Sequence, residues 1–572
     1  MYQRNAKKDS EIINTKTTFY VSSDGISTDG TNENYPMSYE TAKTKTYLSG
    51  DTILFKKGDT FYGTFNPTVI TVDDKITKIS SYGEGKMPNI TGYKIANSEN
   101  SWQIHEEGIY KINLTDTQYF SGLMTVDTNS TNIGFLEDEN GLKYGDKKST
   151  LSELQSEYDF YCDGTYLYIK SDVNPYTKLG ELKLATKTNL CIIKSNLKIE
   201  NIKFSGTGAH GLVNSEEKVE NVQISNNIIQ DIGGSYLKGT TRYGNGIEFY
   251  GADVSNILVK NNIIRNVYDV GFTIQGPKGS AQKVIVKDNV LVSNTQDSEI
   301  WESGTATGVH SYEFKENISI NSGFGWGYEA RPDKYVSAHI LFWGYNIEDT
   351  DIYFHNNIAY NPRRIYFIEQ TNGTNIFFKE NDYIKSDYNT YMITENTTIF
   401  RDYYKIAEKD DFISEYNKDH NSTFSLIEVD SNIVNVATTS NDIKEINKLF
   451  NKEVEEESEE DAKVEENIPE DKLQNNNSNV SNKVQTGNIS VNSNITVIPQ
   501  DSNNVKVENG IEEIQKEDED NTVNESNNTD IIEQQENIIE EGKTPNIKTI
   551  VVITTTLISI SIICYIVYHK LK

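Results

Sequence analysis

Acidic side chains recur through the middle of the chain inside short apolar segments: Gly246-Ile-Glu248-Phe, Glu299-Ile-Trp-Glu302, Gly327-Tyr-Glu329-Ala and Tyr366-Phe-Ile-Glu369. Two carboxyls on neighbouring strands, about 5 Å apart, shift each other's pKa, so one keeps its proton as a general acid while the other acts as base or nucleophile. Glu302 and Glu329 are the expected pair. The densest polar run, Gly325-Trp-Gly-Tyr-Glu329-Ala-Arg331-Pro-Asp333-Lys334, is followed by His339-Ile-Leu-Phe-Trp343. Arg331 and Lys334 suit a uronate carboxylate, His339 or His310 a proton transfer, and Tyr328 an acid. The expected catalytic set is therefore Glu302, Glu329, Arg331 and His339.

Three of the four tryptophans, Trp301, Trp326 and Trp343, fall in the same region, and flat aromatic faces stack on sugar rings. With Lys334, Tyr328, His310 and Arg242 they make up the expected substrate-binding set. Arg242 lies with Lys238 and Tyr243 in a long polar loop, Asp231 to Asn245, of the kind that carries binding on a rigid scaffold. A lyase needs a cation, a base and an acid, whereas a hydrolase needs two carboxyls, and the residues offer part of each set. Plainer roles compete: a loop ion pair between Arg331 and Asp333, satisfied structural histidines at 310 and 339, and solvated strand faces at Glu248 and Glu369. A register slip of one residue turns any of these side chains to the opposite face.

The elements that would position these groups are announced by a returning phrase, apolar-x-apolar, a polar residue, then asparagine. It reads Val222-Gln-Ile224-Ser-Asn-Asn227, Ile257-Leu-Val259-Lys-Asn-Asn262 and Val284-Ile-Val286-Lys-Asp-Asn289, then Tyr312-Glu-Phe314-Lys-Glu-Asn317, Ile352-Tyr-Phe354-His-Asn-Asn357 and Ile376-Phe-Phe378-Lys-Glu-Asn381. The asparagines are 35, 27, 28, 40 and 24 residues apart, a short fixed strand with variable loops, as in a solenoid. Asparagine tolerates left-handed backbone angles, and its amide bonds to the coils above and below, so these residues are expected to stack as a ladder. The fold expected is all-β, a right-handed parallel β-helix, with Leu197-Lys-Ile199-Glu-Asn201 as an earlier coil.

Phe19-Tyr-Val-Ser-Ser-Asp-Gly25, Asp29-Gly-Thr31 and Gly50-Asp-Thr-Ile-Leu-Phe55 frame a stretch, Ser38 to Leu48, suited to a short helix over the open end of the first coil. This entry resembles that of extracellular parallel β-helix proteins of the pectate-lyase-like superfamily, over about residues 17–388. The resemblance implies a sugar-binding groove along one strand face. The calcium-binding aspartates of pectate lyases have no residue-by-residue match, so the expectation is no cofactor, with calcium as the open alternative. Between Gly92 and Lys187 the repeat is lost, and Asp159 to Ile169 reads as a hairpin about Asp163-Gly164.

The organisation expected is a disordered N-terminus (1–16), cap and first coils (17–91), a β-rich insertion (92–187), β-helix repeats (188–400), a C-terminal cap (401–450), an acidic stalk (451–546) and a transmembrane anchor with a short tail (547–572). The stalk has 25 acidic residues against 7 lysines, a net of −18 out of the chain's −31, and lacks aromatics. Such composition does not offset its ordering entropy and predicts disorder. Thr549 to Tyr568 is uncharged and long enough to cross a bilayer, and the lysines after it favour an inner tail. Residues 1–18 hold no apolar export segment; the reading preferred here puts a signal upstream of Met1, with tail-first insertion as the alternative.

Cys162, Cys191 and Cys564 form neither a disulfide framework nor a metal spacing. The strong acidity argues against nucleic acid. The function expected is a cell-surface carbohydrate-active protein, a monomeric polysaccharide lyase or glycoside hydrolase held to the membrane and acting on extracellular or cell-wall polysaccharide. A non-catalytic glycan-binding adhesin is the alternative.

Overall fold

A computed structural model describes residues 16–452, apart from 116–131, 277–278, 303–307, 333, 344–348, 369–383 and 402–405. The acidic stalk, the apolar run 549–568, Asn381, Asp333 and Glu369 lie outside the described residues. Among the described residues no helix is long and apolar enough to cross a membrane.

The repeat folds as a parallel β-helix. Among the described residues a first sheet of ten strands runs from Thr18–Val21 to Ile384–Asp387, a second of ten from Thr60–Tyr62 to Thr423–Leu426, and a third of nine from Cys191–Ile193 to Ile406–Ala407. Each coil places one strand in each sheet, and alternate apolar side chains point inward. Val222, Ile257, Val284, Tyr312 and Ile352 follow one another down the first sheet, each the register partner of the next. Together with the inward residues of the other sheets they form one continuous core.

The asparagines make the ladder at the corner between the first and second sheets. Oδ1 of Asn262, Asn289, Asn317, Asn357 and Asn389 accepts the backbone N–H of the asparagine one coil earlier at 2.9–3.0 Å. Each Nδ2 donates to a carbonyl of the previous strand, as Asn289 does to Val259 at 2.9 Å. Buried amides are thereby satisfied where the chain bends away from sheet pairing. Two details differ from expectation. The left-handed angle belongs to the residue before each ladder asparagine, Asn226, Asn261, Asp288, Glu316, Asn356 and Tyr388, with φ between 54° and 59°. The rung after Asn357 is Asn389, because Ile384–Asp387 is the strand that pairs with Thr350–His355.

Both ends of the stack are covered. At the N-terminal end, helix Tyr39–Thr44, capped by Ser38, inserts Tyr39 among Phe55, Phe61 and Phe65. At the other, helix Lys409–Tyr416 lays Phe412 on Tyr366 and Phe400. Helices Ser431–Thr439 and Ile443–Leu449 cover apolar residues on the outer face of the second sheet, including Ile263, Val292 and Ile320.

The insertion leaves between Asn89–Thr91 of the second sheet and Cys191–Ile193 of the third. Its described residues form two four-stranded antiparallel sheets and a core of their own that includes Trp102, Ile112, Phe160 and Leu184. Its hairpin turns at Asp163-Gly164, where Asp163 Oδ1 accepts from the backbone N–H of Thr165 and Tyr166 at 2.8 and 2.7 Å. Cys162 belongs to this domain and Cys191 to the solenoid core, and both are free thiols.

Candidate functional site

Long excursions from the coils share one corner. The insertion, residues 233–246 and residues 321–337 all connect a strand of the second sheet to the next strand of the third. They are bolted together as a wall. Arg242 donates to the carbonyls of Gly234 (2.7 Å), Ala330 (3.0 Å) and Gly134 (3.1 Å), one from each excursion, and its guanidinium lies 4.7 Å from the Tyr268 ring centre. Trp326 packs on Phe135 and Tyr268 and donates Nε1–H to the Asn266 carbonyl at 2.9 Å. Gly134 sits so close to the 233–235 backbone that a Cβ there would lie 2.4 Å from the Gly233 oxygen.

This wall borders the outer face of the third sheet. Phe272, Ile274, Ile300 and Ile340 point into the core, so their neighbours point out. Register then aligns Glu248, Thr273, Glu299 and Leu341 in one outward column, and Tyr250, Gln275, Trp301 and Trp343 in the next. The Tyr250 and Trp301 rings lie stacked at 6.3 Å across the intervening strand.

Three carboxyls gather on this face. Glu248 is buried, with Oε2 2.7 Å from His210 Nδ1 and accepting from Asn245 Nδ2 at 2.7 Å. The Tyr243 ring meets His210 edge-on, and burial, then the charge of Glu248, pushes its hydroxyl pKa up. Asp269, at the mouth of strand Val270–Gly276, accepts from Arg331 Nη1 at 2.9 Å and keeps 23 % of its side chain exposed. Glu299 lies between them in environment. Burial first, then Asp269, raise its pKa to about 8, against the opposing pull of hydrogen bonds from Thr273 and Gln275. Both donors reach the same oxygen, Oε2, at 2.8 Å, which leaves Oε1 without a hydrogen-bond partner among the described residues. A carboxyl that holds its proton at neutral pH, with one oxygen directed at neither donor, is equipped to be a general acid.

The residues expected from sequence scatter around this face. Trp301 and Trp343 lie on it, and Arg331 reaches it through Asp269. Glu302 ends the strand Gln296–Glu302, and its side chain lies outside those described. Glu329 lies on helix Trp326–Ala330 with its side chain 70 % exposed and pairs with Lys334 at 3.3 Å. Lys334 also lies 4.9 Å from the Tyr328 ring centre, and Arg363 covers the same ring at 3.7 Å. His339 is enclosed in the coil, 2 % exposed, beside Phe314 and with Nδ1 3.1 Å from Asp297 Oδ2. Both it and Asp297 are buried, so it is a structural partner for a buried carboxylate. His310 sits on the first sheet, its Nδ1 2.8 Å from Thr350 Oγ1. Arg242 and Trp326 are committed to the wall as described. Sequence reasoning passed over Asp269 and His210, which lie in connections with no repeating signal, and ranked Glu299 below Glu302.

Among the described residues no cluster of three or more His, Cys, Asp or Glu is placed to hold a metal ion. No protein-family profile and no curated protein matches the chain. Solved structures with similar folds include a complex of XylC with xylose (10 % identity, TM-score 0.35, 73 % of this chain and 87 % of that one). Others are a lacto-N-biosidase of Eubacterium ramulus (11 %, 0.32, 72 % and 68 %) and an alginate lyase of a Paenibacillus species (10 %, 0.31, 68 % and 95 %).

Proposed function

We propose that the outer face of the third sheet is the active groove of a carbohydrate-active enzyme, and that its chemistry is glycoside hydrolysis. The observation that carries this is Glu299, a carboxyl protonated up to about pH 8, on the same face as a second carboxylate oriented by arginine and beside a column of aromatic rings. In this reading Trp301, Tyr250 and Trp343 stack on sugar rings. Glu299 Oε1 gives its proton to the glycosidic oxygen, and Asp269, oriented by Arg331, activates water or attacks the anomeric carbon. Burial and then Asp269 hold the proton on Glu299, and Glu248, engaged by His210 and Asn245, adds a smaller push in the same direction. A lyase reading has less support, because Arg331 is engaged by Asp269 and Lys334 by Glu329.

The test is release of new reducing ends from a panel of polysaccharides by the full chain, with the product anomer read by NMR. Glu299→Gln is expected to lower kcat about 100-fold or more while leaving retention on the polysaccharide intact. Retention without cleavage by the unmodified protein would turn the reading to a glycan-binding adhesin. An unsaturated product absorbing in the ultraviolet would turn it to a lyase. The same proposal puts the groove outside the cell, on the acidic stalk 451–546 and anchored by 549–568, which removal of the β-helix from intact cells by external protease would support.

A further inference from the structure

A second polar recess lies on another face of the molecule. It is a cavity of about 300 Å³ between the outer face of the second sheet, at strands Thr60–Tyr62, Asn89–Thr91, Lys203–Thr207 and Ile228–Ile232, and the inserted strands Tyr93–Ala96, Ile133–Asp138 and Leu182–Thr186. Its size sits at the low end for ligand sites and holds on the order of ten waters, room for one sugar ring and not a chain.

One side of the cavity is chemically closed. Lys143 Nζ binds Asp231 Oδ1 at 2.6 Å and Glu137 Oε2 at 3.4 Å, Tyr93 donates to Glu137 Oε2 at 2.8 Å, and Lys183 reaches Glu137 Oε1 at 3.4 Å. Those charges satisfy one another. The rest of the lining is open in hydrogen-bonding terms. The Lys203 ammonium, the Glu181 carboxyl and the Tyr62 hydroxyl all line the cavity, and none of these side-chain groups has a hydrogen-bond partner among the described residues. Burial depresses the Lys203 pKa, and burial with the charge of Glu181 raises that of Tyr62. Asn89, whose Oδ1 accepts from Ser205 at 2.8 Å, adds an amide N–H₂ to the same wall.

We propose that this cavity binds one neutral sugar unit. The argument is complementarity. The Lys203 ammonium only donates, the Glu181 carboxylate only accepts, and Tyr62 and Asn89 do both. Neighbouring hydroxyls of a sugar each donate and accept, so a diol bridges ammonium and carboxylate without a net charge of its own. The Tyr62 and Tyr93 rings, packed together with Ile95, add an apolar surface for the ring face. An anionic guest would meet Glu181, Glu137 and Asp231, and a cationic one Lys203 and Lys183. The guest is a free monosaccharide or the terminal unit of a glycan, and the site stands independently of the reading of the third-sheet groove.

The experiment is saturation-transfer NMR on the full chain with glucose, galactose, xylose and N-acetylglucosamine, and in a second arm with oligosaccharides ending in whichever of these binds. Glu181→Gln, Lys203→Met and the double variant are each compared with the unmodified protein, their thermal melting recorded alongside. Binding of at least one sugar, weakened about tenfold or more by each single variant and unaffected by Trp301→Ala in the groove, is expected. Binding only to oligosaccharides assigns the chain end, and binding to the free sugar assigns the monosaccharide. If Lys203→Met lowers melting sharply, Tyr62→Phe replaces it, with the same expected loss. No binding of any neutral sugar, or binding unchanged in the Glu181 and Tyr62 variants, overturns the proposal. Hydrolysis in the groove should be unaffected by Glu181→Gln, so failure here and failure of the groove reading are separable.

Discussion

Replacing Glu299 by glutamine should make the protein more stable in alkaline solution while removing its activity. In the folded chain the Glu299 carboxyl keeps its proton up to about pH 8, whereas an unperturbed glutamate loses it near 4.5. Below 4.5 both states are protonated and the carboxyl carries no penalty. As pH rises from 4.5 towards 8 the unfolded chain gives up its proton and the folded one does not, so stability falls across that window and levels off above it. The shift corresponds to a loss of the order of 3–5 kcal/mol. Glutamine mimics the protonated acid: its amide oxygen can accept from Thr273 and Gln275 in place of Oε2, and its N–H₂ stands where the acid O–H would. Thermal melting at pH 5, 7 and 9 should show the two proteins close together at pH 5 and the variant ahead at pH 9. A variant whose melting temperature tracks the unmodified protein across that range would refute the claim that the fold protonates Glu299, and with it the assignment of the general acid.

Asn289→Ala removes an amide that bonds both ways along the ladder, leaving the Val259 carbonyl and the Asn262 N–H without their partners. It should cost about 3 kcal/mol in urea unfolding with activity per folded molecule unchanged. Arg242→Ala releases three carbonyls that tie the insertion to the loops at 234 and 330, and hydrogen exchange should rise at 132–136, 233–235 and 328–331 while the ladder amides stay protected. His339→Leu strips a partner from Asp297, itself fully buried, and should destabilise by about 3 kcal/mol without changing kcat below the melting transition; a selective loss of kcat would restore His339 to the chemistry.

The scaffold was legible because the asparagine phrase is imposed by the same bend in every coil. It was not legible at the rung after Asn357, which is Asn389: its phrase, Ile384-Lys-Ser386-Asp-Tyr-Asn389, has serine in the second inward position, donating to Asp419. The site was less legible for a different reason. A strand of alternating residues shows which side chains share a face, and Glu299 with Trp301 follows from Ile300 once its partner Ile274 is known to point inward. The partner is supplied by pairing, which one sequence does not print. Asp269 and His210 lie in connections whose only specification is tertiary, and the charged run at 325–334 attracted attention because wall-building requires polar residues too.

Long excursions at one corner, with the hydrogen-bonded asparagines at another, divide the coil into two jobs under separate control. A change in the length of 233–246 or 321–337 alters what flanks the third sheet without touching a rung of the ladder, which fixes coil spacing. Selection can then redraw the rim of the groove one excursion at a time, at little risk to folding. The corollary for engineering is that grafted segments belong between the second and third sheets, and that a coil inserted whole should be cut from asparagine to asparagine.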